Sequence, residues 1–462
     1  MITIKSMVDK ASICILCCSA TVHAITLEQS LFDTLQSSPD MAEAIQQYYA
    51  AKSDKNIAVG GFLPRLDLFA DAGVEDIDRN NMKDTHRDRT SAKLRLSIPV
   101  FKGFANVNAH DRASAAMMSS YYKSMSQAEM IALNLTKCYI DVLKSTDVVV
   151  MSEENLVHHQ RTYDLILKRA NQGVSNQADL SQIKSRLARS RANMVSARSN
   201  YHNTKISYRQ VTGVFPKQLN RPKVDSNYIP KSSEQVIELA FANHQVLRSS
   251  KCNVDAYTSA SKEKSAHYYP NFDVVADMTW KDDVAGFRGR EKEWRILLEM
   301  KWNLFAGGQE SSAHKKALSQ EEAGRMKLNS VMREVKGNAE ASWTAYEYLK
   351  KEQIFLEEYV EQTAKTEKLY EQQFKAGKRS LLDLLDSQNE LFQARQAYVE
   401  ADYNYLYAQY RVVASMSYIL DALNVNVMNG LREKDTETKD KTKTMTKTKA
   451  KTSTKATTKA TI

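Results

Sequence analysis

The chain has 462 residues, a formal net charge of +10, and only 14 glycines and 7 prolines. So few turn-forming residues in so long a chain exclude a run of ordinary globular domains and predict long uninterrupted helices. After the N-terminus no stretch of about 18 consecutive apolar residues occurs, so no mature transmembrane helix is expected.

Residues 1–24 read as a secretory signal. Lys5 and Lys10 supply positive charge, Ala11 to Ala20 form a short apolar stretch, and Val22-His23-Ala24 suits cleavage. Cys17 and Cys18 are preceded by Leu16 and Cys17, which are not the small residue a lipid-attachment site needs. Removal of the signal leaves Cys138 and Cys252, too few for a disulfide framework.

From there the elements follow in order. An amphipathic helix is predicted from Leu27 to Gly60. A strand after Pro64 sets Leu66, Leu68, Ala70 and Ala72 against Arg65, Asp67, Phe69 and Asp71. A polar loop, Gly73 to Thr90, leads to a return strand with Ala92, Leu94, Leu96 and Ile98 opposed to Lys93, Arg95 and Ser97. From Ala105 helix formers run without proline or glycine to Gly173, and a shorter helix continues to about Thr212. The order then recurs. A helix is predicted from Ser233 to His267. One strand alternates from Phe272 to Trp280, and a second from Trp294 to Trp302 after a polar loop, Lys281 to Glu293. Two helices then meet at Gly377.

The recurrence is a duplication. Phe62-Leu63-Pro64-Arg65-Leu66-Asp67-Leu68 matches Tyr268-Tyr269-Pro270-Asn271-Phe272-Asp273-Val274, and Val100-Phe101-Lys102-Gly103 matches Leu304-Phe305-Ala306-Gly307. The stretch from Gly173 to Leu180 matches that from Gly377 to Leu384. The halves are assigned to 25–220 and 221–430, so each is far longer than a solenoid repeat. Residues 431–462 form a basic, low-complexity tail with almost nothing to bury.

The strands fit two settings. They suit transmembrane barrel strands, with the apolar face toward lipid and Trp280, Trp294 and Trp302 at the interfaces. They also suit a sheet in a soluble protein, with the polar side to water. Four strands are too few to close a barrel, and an open edge is not tolerated in lipid, so a membrane role requires several chains to share one barrel. The helices alone would also suit a soluble coiled-coil rod.

Chemistry finds little footing. Asp383 and Asp386 share a helix face, but there is no H-E-x-x-H, nucleophile elbow or phosphate loop beside them. No catalytic residue, cofactor or resident metal is assigned, and an enzyme is not expected. A tail exported from the cytoplasm is not expected to meet nucleic acid.

Together the signal, the duplication, Phe62-Leu63-Pro64, Pro99-Val100-Phe101-Lys102-Gly103-Phe104 and the run from Phe374 to Gln388 (FKAGKRSLLDLLDSQ) resemble the TolC-like outer-membrane factor family. The resemblance covers about residues 25–430. It implies a mixed α/β membrane protein, a homotrimer whose four strands per chain make one 12-stranded outer-membrane β-barrel, continued by a periplasmic α-helical barrel. It implies an export channel for proteins or small molecules in type I secretion or efflux, set in outer-membrane lipid. A periplasmic adaptor protein and an inner-membrane ABC or RND transporter would be its partners. It places a periplasmic entrance on Asp383 and Asp386, and a locking Arg379 with Asp179 as its partner. A gate tyrosine of the family falls on Phe374, which has no hydroxyl, and a neighbouring polar position falls on Ala178, so a looser latch is implied. The six carboxylates of such an entrance would concentrate cations. The alternative is a periplasmic adaptor, which carries one hairpin and a lipoyl-like domain rather than two hairpins and barrel-like strands.

Overall fold

The computed structural model describes residues 25–79, 82–172, 176–285 and 289–425. The predicted signal, the basic tail and the turn at Gly173 lie outside these residues.

The helix expected from Leu27 to Gly60 is two, α1 (Leu27–Ser37) and α2 (Pro39–Gly60). Pro39 has no N–H to continue the ladder and pushes the residue before it out of the helical region. Ser38 is accordingly extended and caps α2, its side chain accepting from the Met41 N–H.

Strands β1 (Arg65–Arg79) and β2 (Met82–Lys102) follow. The expected loop from Gly73 to Thr90 is a correction: the ladder continues through it. Polar sequence had suggested a loop, but here it carries cross-strand pairing. Arg89 donates to Asp71 at 2.8 Å, and the Ser91 hydroxyl to the same carboxylate at 2.6 Å.

The long helices are α3 (Ala105–Asn171) and α4 (Gln177–Thr212). At about 1.5 Å per residue α3 is about 100 Å long. The second half repeats the order. The helix expected from Ser233 to His267 is also split, into α5 (Ser233–Asn243) and α6 (Gln245–Lys264), with a 3-10 turn at Ser265–Tyr268. No proline causes this break. The chain after α8 packs on the break: the freed Gln245 N–H donates to Ser417 Oγ, and the Asn243 side-chain amide donates to the Tyr418 hydroxyl. Then come β3 (Asn271–Asp282), β4 (Arg290–Lys301), α7 (Gln309–Lys375), α8 (Leu381–Ser415) and a last turn, α9 (Ile419–Ala422).

The four strands form one antiparallel sheet in the order β1-β2-β3-β4. One face presents Leu66, Leu68, Trp294, Ile296, Leu298 and Met300, all well exposed, with Trp294 at 76 %. The other face is charged. Asp67, Arg95, Asp277 and Arg295 stand level with one another across the strands. Asp277 is nearly buried among cations, with Arg95 at 2.7 Å, Arg295 at 3.0 Å and Lys93 at 3.1 Å.

Each half turns from strand to helix through two consecutive left-handed residues, Gly103-Phe104 and Gly307-Gly308. At Gly103 glycine is required twice over, since a Cβ would also lie 2.5 Å from the Ala266 carbonyl.

The main core sits midway along the helices. Leu27, Leu31 and Met41 pack on Ala128, Ile131, Leu135 and Tyr139 of α3, with Tyr208, Tyr403, Tyr410 and Ile419 closing it. Tyr139 is fully buried, and its hydroxyl lies 2.7 Å from the carbonyls of both Ile25 and Asn220 and accepts from the Asn220 N–H. A second core joins α5 and α6 to α7 and α8.

Candidate functional site at the hairpin tips

Helices α3 and α4 form one hairpin and α7 and α8 the other, and the end of α3 and the start of α4 lie beside the end of α7 and the start of α8. The two tips share a small apolar cluster: Ile166 from α3, Leu180 and Ile183 from α4, Phe374 from α7, and Leu381, Leu384 and Leu385 from α8. Phe374, the position without a hydroxyl, is buried here, and the Arg169 guanidinium lies over its ring at 5.1 Å.

Helices α4 and α8 start with the same device. The Asn176 side chain accepts from the Asp179 N–H at 2.8 Å. Ser380 Oγ accepts from the Asp383 N–H at 3.2 Å and donates to Asp383 Oδ2 at 2.8 Å. Asp179 and Asp383 thus hold equivalent places in the two halves, at the third residue of α4 and of α8. There a carboxylate also faces the positive end of the helix dipole. Part of what made these acids conspicuous in the sequence is the start of a helix.

Arg379 lies just before α8. Its guanidinium stacks on Tyr370 at 3.9 Å, its Nε donates to Gln373 at 3.1 Å, and it lies 3.8 Å from Asp383. Among the described residues of one chain, these are its contacts, and Asp179 is not one of them. Asp386 instead takes the strong pairing: Arg186 of α4 donates to it at 2.6 Å, across the two hairpins. The five residues singled out by resemblance are therefore all at the tips, and the observed ties join Arg379 to Asp383 and Asp386 to Arg186.

Sequence reasoning missed Arg169, Arg186, Tyr370 and Gln373. Arg186 stands in a run of basic residues on α4 that gave no sign which one turns inward. Tyr370 and Gln373 are near the end of α7, nine and six residues before Arg379, and only the turn at Gly377, with φ of 72°, brings them together. Further up, His159 is buried while His158 is not, and burial first, then Arg186 and His158, pushes its pKa down.

Among the described residues no cluster of histidine, cysteine and carboxylate side chains could hold a metal, and no helix is long and apolar enough to cross a membrane. The arrangement offers no nucleophile, base and substrate pocket in one place. It offers a cluster of carboxylates and arginines at the ends of long hairpins.

The family model described as outer membrane efflux protein matches residues 31–214 and 236–417 of this chain. Among curated relatives, the outer membrane efflux protein BepC of Brucella suis is 21% identical over 373 residues, covering 78% of this chain and 78% of that protein. The outer membrane protein TolC of Escherichia coli is 21% identical over 443 residues, covering 91% and 87%. Among solved structures, the Campylobacter jejuni CmeC outer membrane channel superposes with a TM-score of 0.76 at 13% identity, over 87% of this chain and 90% of that one.

Proposed function

We propose, on the premise that the chain belongs to the outer membrane efflux protein family, that three copies build one export conduit across the outer membrane and periplasm. The sheet of each copy supplies a third of a 12-stranded barrel. The two hairpins of each copy continue it as a helical tunnel, and the tips form its periplasmic entrance. A periplasmic adaptor and an inner-membrane transporter of the ABC or RND type dock there and supply energy. The conduit itself carries out no chemistry.

One observation carries this reading. The sheet has an exposed apolar face, a charged face and two open edges. In lipid an unpaired edge costs several kcal/mol per stranded polar group. Only closure with further copies removes it. An adaptor has no use for a sheet of this kind. Residues 1–24 are read as the cleaved signal, 25–220 and 221–430 as the two halves, and 431–462 as the tail. Asp179, Phe374, Arg379, Asp383 and Asp386 are read as the gate. Small molecules and unfolded proteins both fit a generic tunnel, and the transporter selects between them.

The test is planar-bilayer conductance of the detergent-purified mature protein, with its mass from light scattering. A trimer forming small, cation-selective channels is expected. A monomer without channel activity would refute the shared barrel.

A further inference from the structure

In the trimer proposed above, β4 of one copy must pair with β1 of the next, and the register of that seam is not given by the fold of one chain. We infer that it places Lys301 opposite the neighbouring copy's Asp67, and Arg295 opposite the neighbouring copy's Gly73. The inference rests on the trimeric reading and deepens it.

Three constraints converge. The first is closure. With strands about 4.8 Å apart and about 3.3 Å per residue, a barrel of three such sheets tilted by about 35–45° needs a stagger of about four to six residues per seam. The stagger must be even, because an odd one would turn the charged face toward lipid.

The second is overlap, which fixes the direction. Within one chain Arg65 stands level with Ser97, Val275 and Leu297. Without stagger, residues 298–301 of β4 would therefore extend past the start of β1 and find no partner. A shift toward the loop end of β1 corrects this, since β1 runs on to Arg79 while β4 spans only Arg290–Lys301. The greater length of the first hairpin is what the shift requires.

The third is charge, which separates a stagger of about six from one of about four. At the shorter stagger Lys301 faces Arg65, Glu299 faces Asp67 and Glu291 faces Glu75, three like-charge pairs on the inner face that outnumber the stagger's two opposite-charge pairs, Arg295 with Asp71 and, on the outer face, Arg290 with Asp76. At the longer one Lys301 faces Asp67, and on the outer face Lys292 meets Asp76. One like-charge pair remains, Glu293 with Glu75. Each of these already has a cation in its own chain: Arg89 lies 4.0 Å from Glu75, and Lys281 lies 3.8 Å from Glu293.

The longer stagger also accounts for Gly73. A glycine inside a strand weakens it and marks a close approach. Gly73 is not among the residues of positive φ, so its backbone does not demand glycine. A Cβ added there would meet nothing within 4 Å, so crowding inside one chain does not demand it either. Facing Arg295, it leaves room for the guanidinium between Asp71 and Glu75, the two acids diagonal to it.

Disulfide trapping tests the register. In a background with the native cysteines replaced by serine, Lys301→Cys is combined either with Asp67→Cys or with Arg65→Cys. Met300→Cys is likewise combined with Leu68→Cys or with Leu66→Cys. Directly opposite Cβ atoms lie about 4.5–5.5 Å apart and those two residues off about 7–8 Å, so only the true register cross-links efficiently. Purified full-length protein is oxidised and run without reductant, with light scattering on the same samples. Cross-linked dimers and trimers from the Asp67 and Leu68 pairs, at several times the yield of the other two, are expected. Efficient trapping by the Arg65 and Leu66 pairs instead would overturn the register. Trimers by mass with none of the four pairs trapped would overturn it too, while leaving the trimer standing. A monomer by mass would instead overturn the shared barrel itself.

Discussion

The middle of the helical body and its tip are held by different means, although the same four long helices run through both. In the middle, α1, α3, α4, α8 and α9 converge on a broad core that buries Tyr139, Tyr208, Tyr403 and Tyr410. Three of their hydroxyls are tied in, Tyr139 to the chain at Ile25 and Asn220, Tyr208 to Ser30 and Tyr403 to Asp147, while the Tyr410 hydroxyl is buried without a partner among the described residues. At the tip, the four helices share one small cluster, and the charged contacts around it are exposed. A hairpin anchored at mid-height and weakly latched at its end opens most cheaply at the end. The proposed periplasmic gate would need this distribution of stability.

The sharpest test of this contrast is one aromatic removed from each place. Tyr139→Ala leaves a large cavity and frees two backbone carbonyls and an N–H, and should cost about 3–5 kcal/mol, read as a large fall in Tm. Tyr139→Phe should cost about 1 kcal/mol, isolating the hydroxyl. Phe374→Ala removes a comparable side chain from the tip cluster. It should raise conductance in planar bilayers several-fold while lowering Tm much less than Tyr139→Ala does. Equal losses of Tm would mean that tip and middle unfold as one unit, and the contrast would fail.

The next effect is pH-dependent and belongs to the middle. Glu129 of α3 is buried, with Ser417 Oγ donating to it at 2.9 Å. Burial pushes its pKa up to about 7; hydrogen bonds from Ser417 and Gln245 and the nearby Arg248 pull it down, while Asp421 pushes it further up. A carboxylate raised in the fold binds more protons folded than unfolded. Its penalty is therefore absent below the unfolded value and grows as pH rises from there through about 7. Glu129→Gln should leave stability near pH 4 almost unchanged and add up to about 3 kcal/mol near pH 8. Parallel pH profiles of Tm for the two proteins would show that Glu129 is charged at no cost.

Much of this architecture was legible in the sequence, because period and repetition report it directly. Alternation placed Leu66, Leu94, Val274 and Ile296 on one face, as found, and the scarcity of glycine and proline foretold α3 and α7. Local polarity misled between Gly73 and Thr90, where charged residues pair across strands instead of looping. The break at His244 was invisible because the groups that hydrogen-bond to its flanks, Ser417 and Tyr418, lie far along the chain. At the tip, the residues named by resemblance lie at one end of the molecule, and the contacts within one chain do not include the Arg379–Asp179 pairing it implies. Which arginine meets which carboxylate depends on the packing of two hairpins whose surfaces are crowded with both signs.

The smallest expected effect concerns those pairings, and it separates the two arginines of the tip. Arg186 ties α4 to α8 through Asp386 and so bridges the hairpins, whereas Arg379 is held by Tyr370, Gln373 and Asp383 within its own hairpin. Both contacts are partly exposed, so each is worth only about 0.5–1 kcal/mol. Arg186→Ala should shift opening of the tip by about two- to five-fold, seen as more frequent or larger conductance steps with Tm unchanged. If the observed contacts are the whole of its role, Arg379→Ala should do less, since it loosens a turn rather than a bridge. If Arg379→Ala has the larger effect on conductance, its partner in the closed entrance is a residue beyond its own hairpin. In that case the latch to Asp179 implied by family resemblance is made in the assembled trimer, and the tip is held more firmly than one chain suggests.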